Sequence, residues 1–339
     1  MKQMFWKRVL ENCVERSIQT RNSTRKKFVR VVLSPDVDGI LSTVLLAHYM
    51  WEKHRAETEI VATFNGRYVR MNSDLPVQTL RDAIWIDLDV RFSEIKCCIG
   101  QHFLGPLTIR TSSASFNPNC LFQIDNMKDK YPFATAHLIL FGLLSDIPPL
   151  GLDTDHGKAL IGHADSCYWV CRKYNYNCRK WADLLFETDP TPPILKDMLN
   201  DEYIDNNLNG HLSFVKSISK HVYNGRTQTD NIPVDWRLCT GNQTCIGTNE
   251  AILFKNVNAL SRLFSKILST YAPITFSPNK AKTVWEGTKM RVEASTHTKN
   301  LEKFMQKNSI KSHAITSAQI ISMSQGPELF NDGDDVSLY

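Results

Sequence analysis

Long apolar runs are absent from this sequence of 339 residues. No window approaches the roughly 18 uncharged apolar residues that a membrane-spanning helix needs, so we expect no transmembrane helix and no membrane partner. Residues 1–16 carry charge throughout and lack the apolar run of a signal peptide. We therefore expect a cytoplasmic protein.

Two common phosphate-binding loops are also missing. The chain has no Gly-x-x-x-x-Gly-Lys-Ser/Thr loop and no Gly-x-Gly-x-x-Gly loop, so neither a P-loop nor a dinucleotide fingerprint is present. The nine cysteines are an odd number without zinc-site pairing. We expect them to be reduced thiols, with Cys167, Cys171 and Cys178 forming a core stripe on one helix.

Positive charge is concentrated at the start of the chain. The whole chain has 40 Lys and Arg against 35 Asp and Glu, a formal charge of +5, whereas residues 1–30 alone carry +7. Such a segment suits a polyanion, nucleic acid first. It is equally compatible with a solvated amphipathic helix that precedes the first strand, and we assign residues 1–27 to a basic N-terminal helix.

Residues 28–190 alternate between β-branched runs and helical patterns. Residues 28–33, 59–64, 83–89 and 95–99 are the strand candidates, and residues 40–54, 133–144 and 165–186 have helical patterns. This alternation predicts an α/β fold, with a parallel sheet and helices on both faces.

A proline cluster at residues 190–193 ends this region. We predict a helical linker region over 191–245, a smaller α+β substrate-binding domain over 246–325 and a mobile acidic tail over 326–339.

Acidic residues and one histidine follow the predicted strands. Asp36 and Asp38 follow the first strand, Asp87 and Asp89 end the third, His102 follows the fourth, and Asp165 follows a short apolar run at 159–161. Ligands of open parallel sheets bind at the carboxyl ends of the strands. Clustered carboxylates with an imidazole suit a divalent cation, although Asp36 and Asp38 could simply cap the next helix.

Four segments resemble the motifs of the DHH phosphoesterase superfamily, in order and spacing. They are VVLSPDVDGILS, IWIDLD, CCIGQHFLG at the place of the namesake Asp-His-His, and IGHADS. The resemblance spans about residues 28–187, and the chain is identified on it as a divergent member.

The resemblance implies a hydrolase that uses Mn²⁺, or another divalent cation such as Mg²⁺, to cleave phosphodiester bonds. Asp36 would hold one metal and Asp38 the other, Asp87 would bridge both, and His102 and Asp165 would complete the coordination of the second metal. His102 and Asp38 would be the catalytic residues. The implied substrate is a single-stranded nucleic acid, a short oligonucleotide or a nucleotide, and a homodimer is compatible with the resemblance.

The motifs depart from the family in two places. Ser34 stands where the family has a metal-binding histidine, and the Asp-His-His triplet is reduced to Gly100-Gln101-His102. One metal site then loses a ligand. A one-metal enzyme, or a degenerate protein that binds nucleotides or nucleic acid without cutting them, is therefore the alternative.

Residues 308–314 lie where many superfamily members carry a glycine-rich phosphate-binding loop in a DHH-associated C-terminal module. Here Ser, Ile and Lys replace the glycines. Lys311 and His313 could still bind phosphate through their side chains, and the other interpretation is an ordinary polar loop.

One further enzyme class fits the acidic motifs. Asp87-Leu88-Asp89 and Asp36-Val37-Asp38 both fit the nucleophile motif of haloacid dehalogenase-like phosphatases, which makes such a phosphatase the third hypothesis. We interpret residues 116–119 as a turn, and Thr135 and His137 as packing residues of an apolar helix.

Overall fold

A computed structural model describes residues 2–104, 115–187, 190–223, 250–276, 281–293, 301–317 and 320–330. The chain has a mixed α/β fold whose central sheet is largely parallel. No helix in these ranges is long and apolar enough to cross a membrane. The end of the predicted linker region, residues 224–245, lies outside them, and the cytoplasmic location and the homodimer stay predictions.

Strands β1 to β8 form the central sheet, in the order β6-β5-β2-β3-β4-β8, with β1 beside β2 and β7 beside β3. The strands are β1 Gln19–Thr20, β2 Lys27–Leu33, β3 Ala56–Phe64, β4 Tyr68–Asn72, β5 Ile84–Ile86, β6 Cys97–Ile99, β7 Ile274–Phe276 and β8 Ala281–Glu286. Strands β6, β5, β2, β3 and β7 are parallel, and β1, β4 and β8 pair antiparallel to their neighbours.

The described residues form eleven α-helices. They are α1 Lys2–Glu15, α2 Val37–His54, α3 Pro118–Leu121, α4 Thr135–Leu143, α5 Asp155–His163, α6 Cys167–Lys173, α7 Asn175–Leu185, α8 Pro193–Met198, α9 Asp201–Tyr223, α10 Glu250–Ile267 and α11 Leu301–Lys307. The helix predicted over 165–186 is interrupted, because Tyr174 leaves helical geometry between α6 and α7. The three cysteines of the predicted stripe are nevertheless all buried.

The main hydrophobic core lies on one face of the central sheet. Val29, Val31 and Leu33 of β2 point into it, together with Ile84 and Ile86 of β5. Side chains from α1, α2 and α4 through α10 complete it. Alternate residues of a strand face opposite sides of a sheet, so these strands have a second buried face.

The second face receives no α-helix from the described ranges, whereas helices were predicted on both faces. Its core contains Val32, Phe64 and Trp85 from the sheet and Trp285 from β8. A 3₁₀ turn at Val77–Leu80, the loop after β5 and a C-terminal segment cover it within the described ranges. This segment includes Leu329 and Phe330, so the first residues of the predicted acidic tail are packed.

Residues beyond the predicted linker contribute to both the sheet and the main core. Strand β7 pairs with β3, and β8 pairs with β4. Helix α10 buries Val257, Leu260 and Phe264 in the main core. The predicted boundaries stay predictions, and the second part of the chain completes the sheet of the first.

A separate antiparallel sheet has the order β10-β11-β9, from Thr288–Glu293 (β9), Ile310–Ser317 (β10) and Ile320–Gln325 (β11). The predicted loop at 308–314 was wrong, because β10 occupies most of it. Apolar Ile310 turns inward against Met305 of α11, and β10 pairs with β11 through most of its length.

The basic N-terminal segment forms helix α1, a short loop and strand β1. Trp6 and Leu10 of α1 are fully buried and lie against Gly142 of α4. Part of the positive charge is neutralised within the fold: Lys26 pairs with Glu57 at 3.1 Å, and Arg21 and Arg30 both pair with Glu59.

Candidate functional site

The site lies where the order of strand addition in the central sheet reverses. The chain runs from β2 to β3 on one side and later returns to place β5 on the other side of β2. The loops that follow β2 and β5 therefore diverge, and ligands of open α/β sheets bind at such a position. Asp36 comes from the first loop, Asp38 from the first turn of α2 that follows it, and Asp87 from the second loop.

Asp36 caps helix α2. Its Oδ1 accepts a hydrogen bond from Gly39 N at 2.9 Å, and its Oδ2 accepts one from Ser34 Oγ at 2.5 Å. The capping interpretation is therefore confirmed for Asp36. The serine that replaces the expected histidine binds the first aspartate of the motif.

Asp38 is held by helix α4 although it belongs to α2. Its Oδ2 accepts from Thr135 N and its Oδ1 from Ala136 N, both at 2.8 Å, while Ser42 Oγ donates to Oδ1 at 3.1 Å. These amides are at the N-terminus of α4, where backbone N–H groups lack partners within the helix. Asp38 therefore joins the start of α4 to the start of α2.

Asp87 directly follows β5 and has a φ of 57°, in the left-handed region that non-glycine residues rarely adopt. Its Oδ1 accepts a hydrogen bond from Thr135 Oγ1 at 2.9 Å. Its Oδ2 is buried and has no hydrogen-bond partner among the described residues. Buried polar atoms are nearly always paired, so this oxygen is a candidate for contact with a bound ligand.

The carboxylates around Asp87 raise each other's pKa. Burial, then the charges of Asp165 and Asp36, raises the pKa of Asp38 to about 8. Burial and the charges of Asp38, Asp36 and Asp165 raise the pKa of Asp87 well above its ordinary value. Burial and the charge of Asp36 raise the pKa of Asp165 to about 6. The four acids therefore form one electrostatic cluster.

Asp165 comes from a junction between helices, not from the end of a strand. The apolar run at 159–161 belongs to α5, whose first turn is capped by Thr154 Oγ1, which accepts from Gly157 N at 3.0 Å. Asp165 and Ser166 both have positive φ, which turns the chain sharply before α6. Gln101 Nε2 donates to Asp165 Oδ2 at 2.6 Å, so the glutamine of the reduced motif contacts the last acid.

His102 pairs with Asp89. The distance between His102 Nδ1 and Asp89 Oδ2 is 3.1 Å, and the backbone N of His102 donates to the same oxygen at 3.2 Å. Burial alone would lower the pKa of His102, but the hydrogen bond and the charge of Asp89 raise it overall. A partly exposed imidazole with a raised pKa is thus fixed beside the carboxylate cluster.

Sequence reasoning missed two asparagines that support this pair. Asn117 Nδ2 donates to Asp89 Oδ1 and to the carbonyl of His102, both at 2.9 Å. Asn119 Nδ2 donates to the carbonyl of Gln101 at 2.8 Å. The turn expected at 116–119 therefore holds the loop after β6 in place. Repeated asparagines around a proline were the available signal.

Thr135 was also missed. It was interpreted as a packing residue because its helix is apolar, yet its backbone contacts Asp38 and its hydroxyl contacts Asp87. His137 fits the packing interpretation, since it is fully buried, and burial lowers its pKa to about 3.

The two predicted phosphate-binding residues have partners within the fold. Lys311 Nζ pairs with Glu328, and His313 Nε2 lies 2.8 Å from the carbonyl oxygen of Leu104. Both side chains are buried. The small sheet lies against the loop after β5, where Arg91 N donates to the carbonyl of Lys311 at 2.6 Å. These residues attach the small sheet next to Asp89.

A divalent cation suits the donor types and the charge of the site. In the described ranges, no three His, Cys, Asp or Glu side chains are arranged to hold a metal ion. However, Asp87 Oδ2 is a buried oxygen without a hydrogen-bond partner in these ranges, and the surrounding carboxylates repel each other. A cation would stabilise their ionised forms and accept oxygen and imidazole ligands. The ligand types of these residues therefore suit a divalent cation. Binding would require the side chains to move towards it.

Comparisons with known proteins show no family for this chain. No protein-family profile matches the chain, and no curated protein matches it. Among solved structures, a crystal structure of exonuclease RecJ bound to manganese is similar, with 10% sequence identity and a TM-score of 0.33. That match covers 96% of this chain and 90% of the other. The likeness is weak, and it says nothing about individual residues of the site.

Proposed function

We propose that the chain is a divalent-metal-dependent phosphodiesterase that acts on single-stranded nucleic acid or short oligonucleotides, with Mn²⁺ as the expected cation. The observation that carries the proposal is the buried Asp87 Oδ2, which has no hydrogen-bond partner in the described part of the chain and lies inside a cluster of carboxylates. Such a cluster is costly for a fold to keep without a cation or protons.

Asp36, Asp87 and Asp165 would hold the cation, and Asp38 would take part after exchanging its contacts with α4. When bound, the cation would polarise a phosphoryl oxygen and lower the pKa of water. Thr135 fixes the orientation of Asp87 through its hydroxyl, and Gln101 fixes that of Asp165 through its amide.

His102 would act on the departing oxygen. Asp89 holds its ring through Nδ1 and raises its pKa, which favours the protonated imidazole. A protonated histidine can donate a proton to a leaving group if it lies within hydrogen-bond reach. Asn117 fixes Asp89 in turn, so the pair is oriented before the substrate arrives.

The test pairs metal content with cleavage. The protein is purified without chelator, bound Mn, Fe, Zn and Mg are measured, and labelled single-stranded DNA and RNA are offered with added Mn²⁺. We expect wild type and Asp146→Asn, a change at an exposed loop residue, to shorten the substrate. Asp87→Asn, which is nearly isosteric, should be folded and inactive. Full activity in that variant would refute the proposal.

A second candidate is a protein that binds nucleotides or nucleic acid without cutting them. The observation in its favour is that Asp38 already accepts three hydrogen bonds from within the fold. This candidate predicts oligonucleotide binding with no shortening at any Mn²⁺ concentration.

A further inference from the structure

Exposed aromatic side chains are concentrated at the corner between helices α6 and α7. Tyr174 is 52% exposed, Tyr176 84% and Trp169 36%. Together with Lys173 and Lys180 they form what we call the α6–α7 surface. An exposed tyrosine on its own needs no explanation, but three aromatic residues within eight positions of a bend form a patch.

Each tyrosine of the α6–α7 surface has a lysine beside it. Lys173 Nζ lies 5.2 Å from the centre of the Tyr174 ring. Lys180 lies within electrostatic reach of Tyr176 and forms an ion pair with Asp129 at 2.8 Å. Trp169 precedes Lys173 by four residues on α6, so the two side chains share one face of that helix.

Lys130 connects the α6–α7 surface to the carboxylate cluster. Its backbone carbonyl accepts a hydrogen bond from Asn177 Nδ2 of α7 at 2.9 Å. Its ammonium lies within electrostatic reach of Asp165 and Tyr174, and it also acts on His102. Within the described residues Lys130 forms no ion pair. A half-buried cation therefore lies between the patch and the site.

The charge around the patch is positive. Residues 125–130 and 169–183 contain three acids, Asp125, Asp129 and Asp183, against six cations, Lys128, Lys130, Arg172, Lys173, Arg179 and Lys180. Two of them have acidic partners, since Lys180 pairs with Asp129 and Arg172 pairs with Asp205 at 3.0 Å. The excess of positive charge beside exposed rings matches a ligand with phosphates and flat bases.

We propose that the α6–α7 surface binds single-stranded nucleic acid and leads it to the Asp165 side of the site. Bases would stack on Tyr174 and Tyr176, while Lys173 and Lys130 would contact phosphates. Base–aromatic stacking and a basic groove are the usual means of binding single strands without sequence preference. The path towards the site rests on the proposed function, whereas binding to the surface does not require cleavage.

The first experiment measures binding with cleavage switched off. Fluorescence anisotropy of a fluorescein-labelled oligothymidylate is followed in EDTA with the full chain. We expect the double variant Tyr174→Ala/Tyr176→Ala to bind roughly tenfold or more weakly, and Tyr174→Phe/Tyr176→Phe to bind like wild type. Tyr271→Ala is the matched control, because Tyr271 is also 84% exposed but lies just before β7.

The second experiment measures salt dependence. Each phosphate contact contributes a slope of about −0.7 to log K against log salt for single strands. We expect Lys130→Gln to make the slope of log K against log salt shallower by about 0.7. Lys53→Gln, at an exposed position near the end of α2, should leave the slope unchanged. A duplex of the same sequence length and inorganic polyphosphate serve as competitors, and both should compete poorly.

The outcomes separate this proposal from the proposed function. Normal binding by the double alanine variant would refute the proposed binding surface even if the protein cleaves nucleic acid. Competition by polyphosphate as strong as that by single-stranded DNA would refute it too. Loss of binding in that variant, with retention in the phenylalanine variant, would support the surface even if no cleavage is found. Absence of binding by wild type would overturn it outright.

Discussion

Thr135 N donates a 2.8 Å hydrogen bond to Asp38 Oδ2 across 97 residues of sequence. The same threonine donates from its hydroxyl to Asp87. Two aspartates from neighbouring strand ends are therefore oriented by one residue at the start of α4. This contact links the stability of the fold to the orientation of the carboxylates.

The first prediction concerns Asp38 as a cap of α4. Asp38→Ala leaves the amides of Thr135 and Ala136 without their acceptor in a buried place, which costs about 1–3 kcal/mol for each group. We expect the free energy of unfolding to fall by about 2 kcal/mol or more, measured by urea denaturation at pH 7. Asp36→Ala removes one backbone amide's acceptor and is the comparison. An equal or smaller loss for Asp38→Ala would contradict the prediction.

The second prediction separates the hydroxyl of Thr135 from its backbone. Thr135→Val keeps the shape and the amide that contacts Asp38 but removes the donor to Asp87. We expect a stability loss of about 1–3 kcal/mol and a marked fall in cleavage of single-stranded DNA. Thr135→Ser retains the hydroxyl and should keep most of the activity. Equal activities of the two variants would show that this hydrogen bond is unimportant.

The third prediction concerns Gly100, which lies against Asp89. A methyl group at this position would overlap the Asp89 carboxylate, and that carboxylate holds His102. We expect Gly100→Ala to lower the free energy of unfolding by about 1–3 kcal/mol and to reduce cleavage. Gly210→Ala is the control, since nothing lies within 4 Å of a methyl group there. Wild-type cleavage by Gly100→Ala would argue against a role for the Asp89–His102 pair.

The fourth prediction is a pH dependence of stability from His137. Burial lowers its pKa to about 3 from an ordinary value of 6.5. The folded state therefore favours the neutral ring, so this stabilisation is complete above about pH 6.5 and is lost as the pH falls towards 3. One such group changes the free energy of unfolding by at most about 1.4 kcal/mol per pH unit.

His137→Gln tests this directly. The ring accepts a hydrogen bond from Ala134 N at 3.2 Å, and a glutamine at this third helical position can accept the same bond without titrating. We expect a shallower loss of stability between pH 6.5 and 4 in urea denaturation. His156→Gln, at an exposed position on α5, should follow wild type. Identical pH profiles for wild type and His137→Gln would refute the assignment.

The sequence was informative where strands are buried on both faces. The apolar, β-branched run predicted as a strand over 28–33 forms β2 with nearly the same ends, whereas the run predicted over 83–89 forms β5 only at Ile84–Ile86. The short strand β8 was missed, because only Trp285 among its residues is buried and its polar neighbours resemble a loop. Strand β10 was missed for a similar reason, since a lysine and a histidine are buried along it.

Contacts within the site were harder to foresee. The local sequence shows which residues directly follow a strand. On that basis Asp36, Asp38 and Asp87 were predicted to be neighbours. The partners of these residues are set by tertiary packing. Asn117 and Asn119 lie in a turn whose pattern says nothing about Asp89, and Thr135 is surrounded by apolar residues in the sequence.

The pairing of β8 with β4 has a consequence for how the protein is made. Thr275 of β7 contacts Thr58 of β3, and Glu286 of β8 contacts Arg67 beside β4, which are separations of 217 and 219 residues. Contacts between such distant residues slow folding, and domains fold as the ribosome releases them. A ribosome must therefore synthesise most of this chain before β4 can pair with β8. Until then one edge of β4 has unpaired backbone groups, and such an edge can pair with another chain.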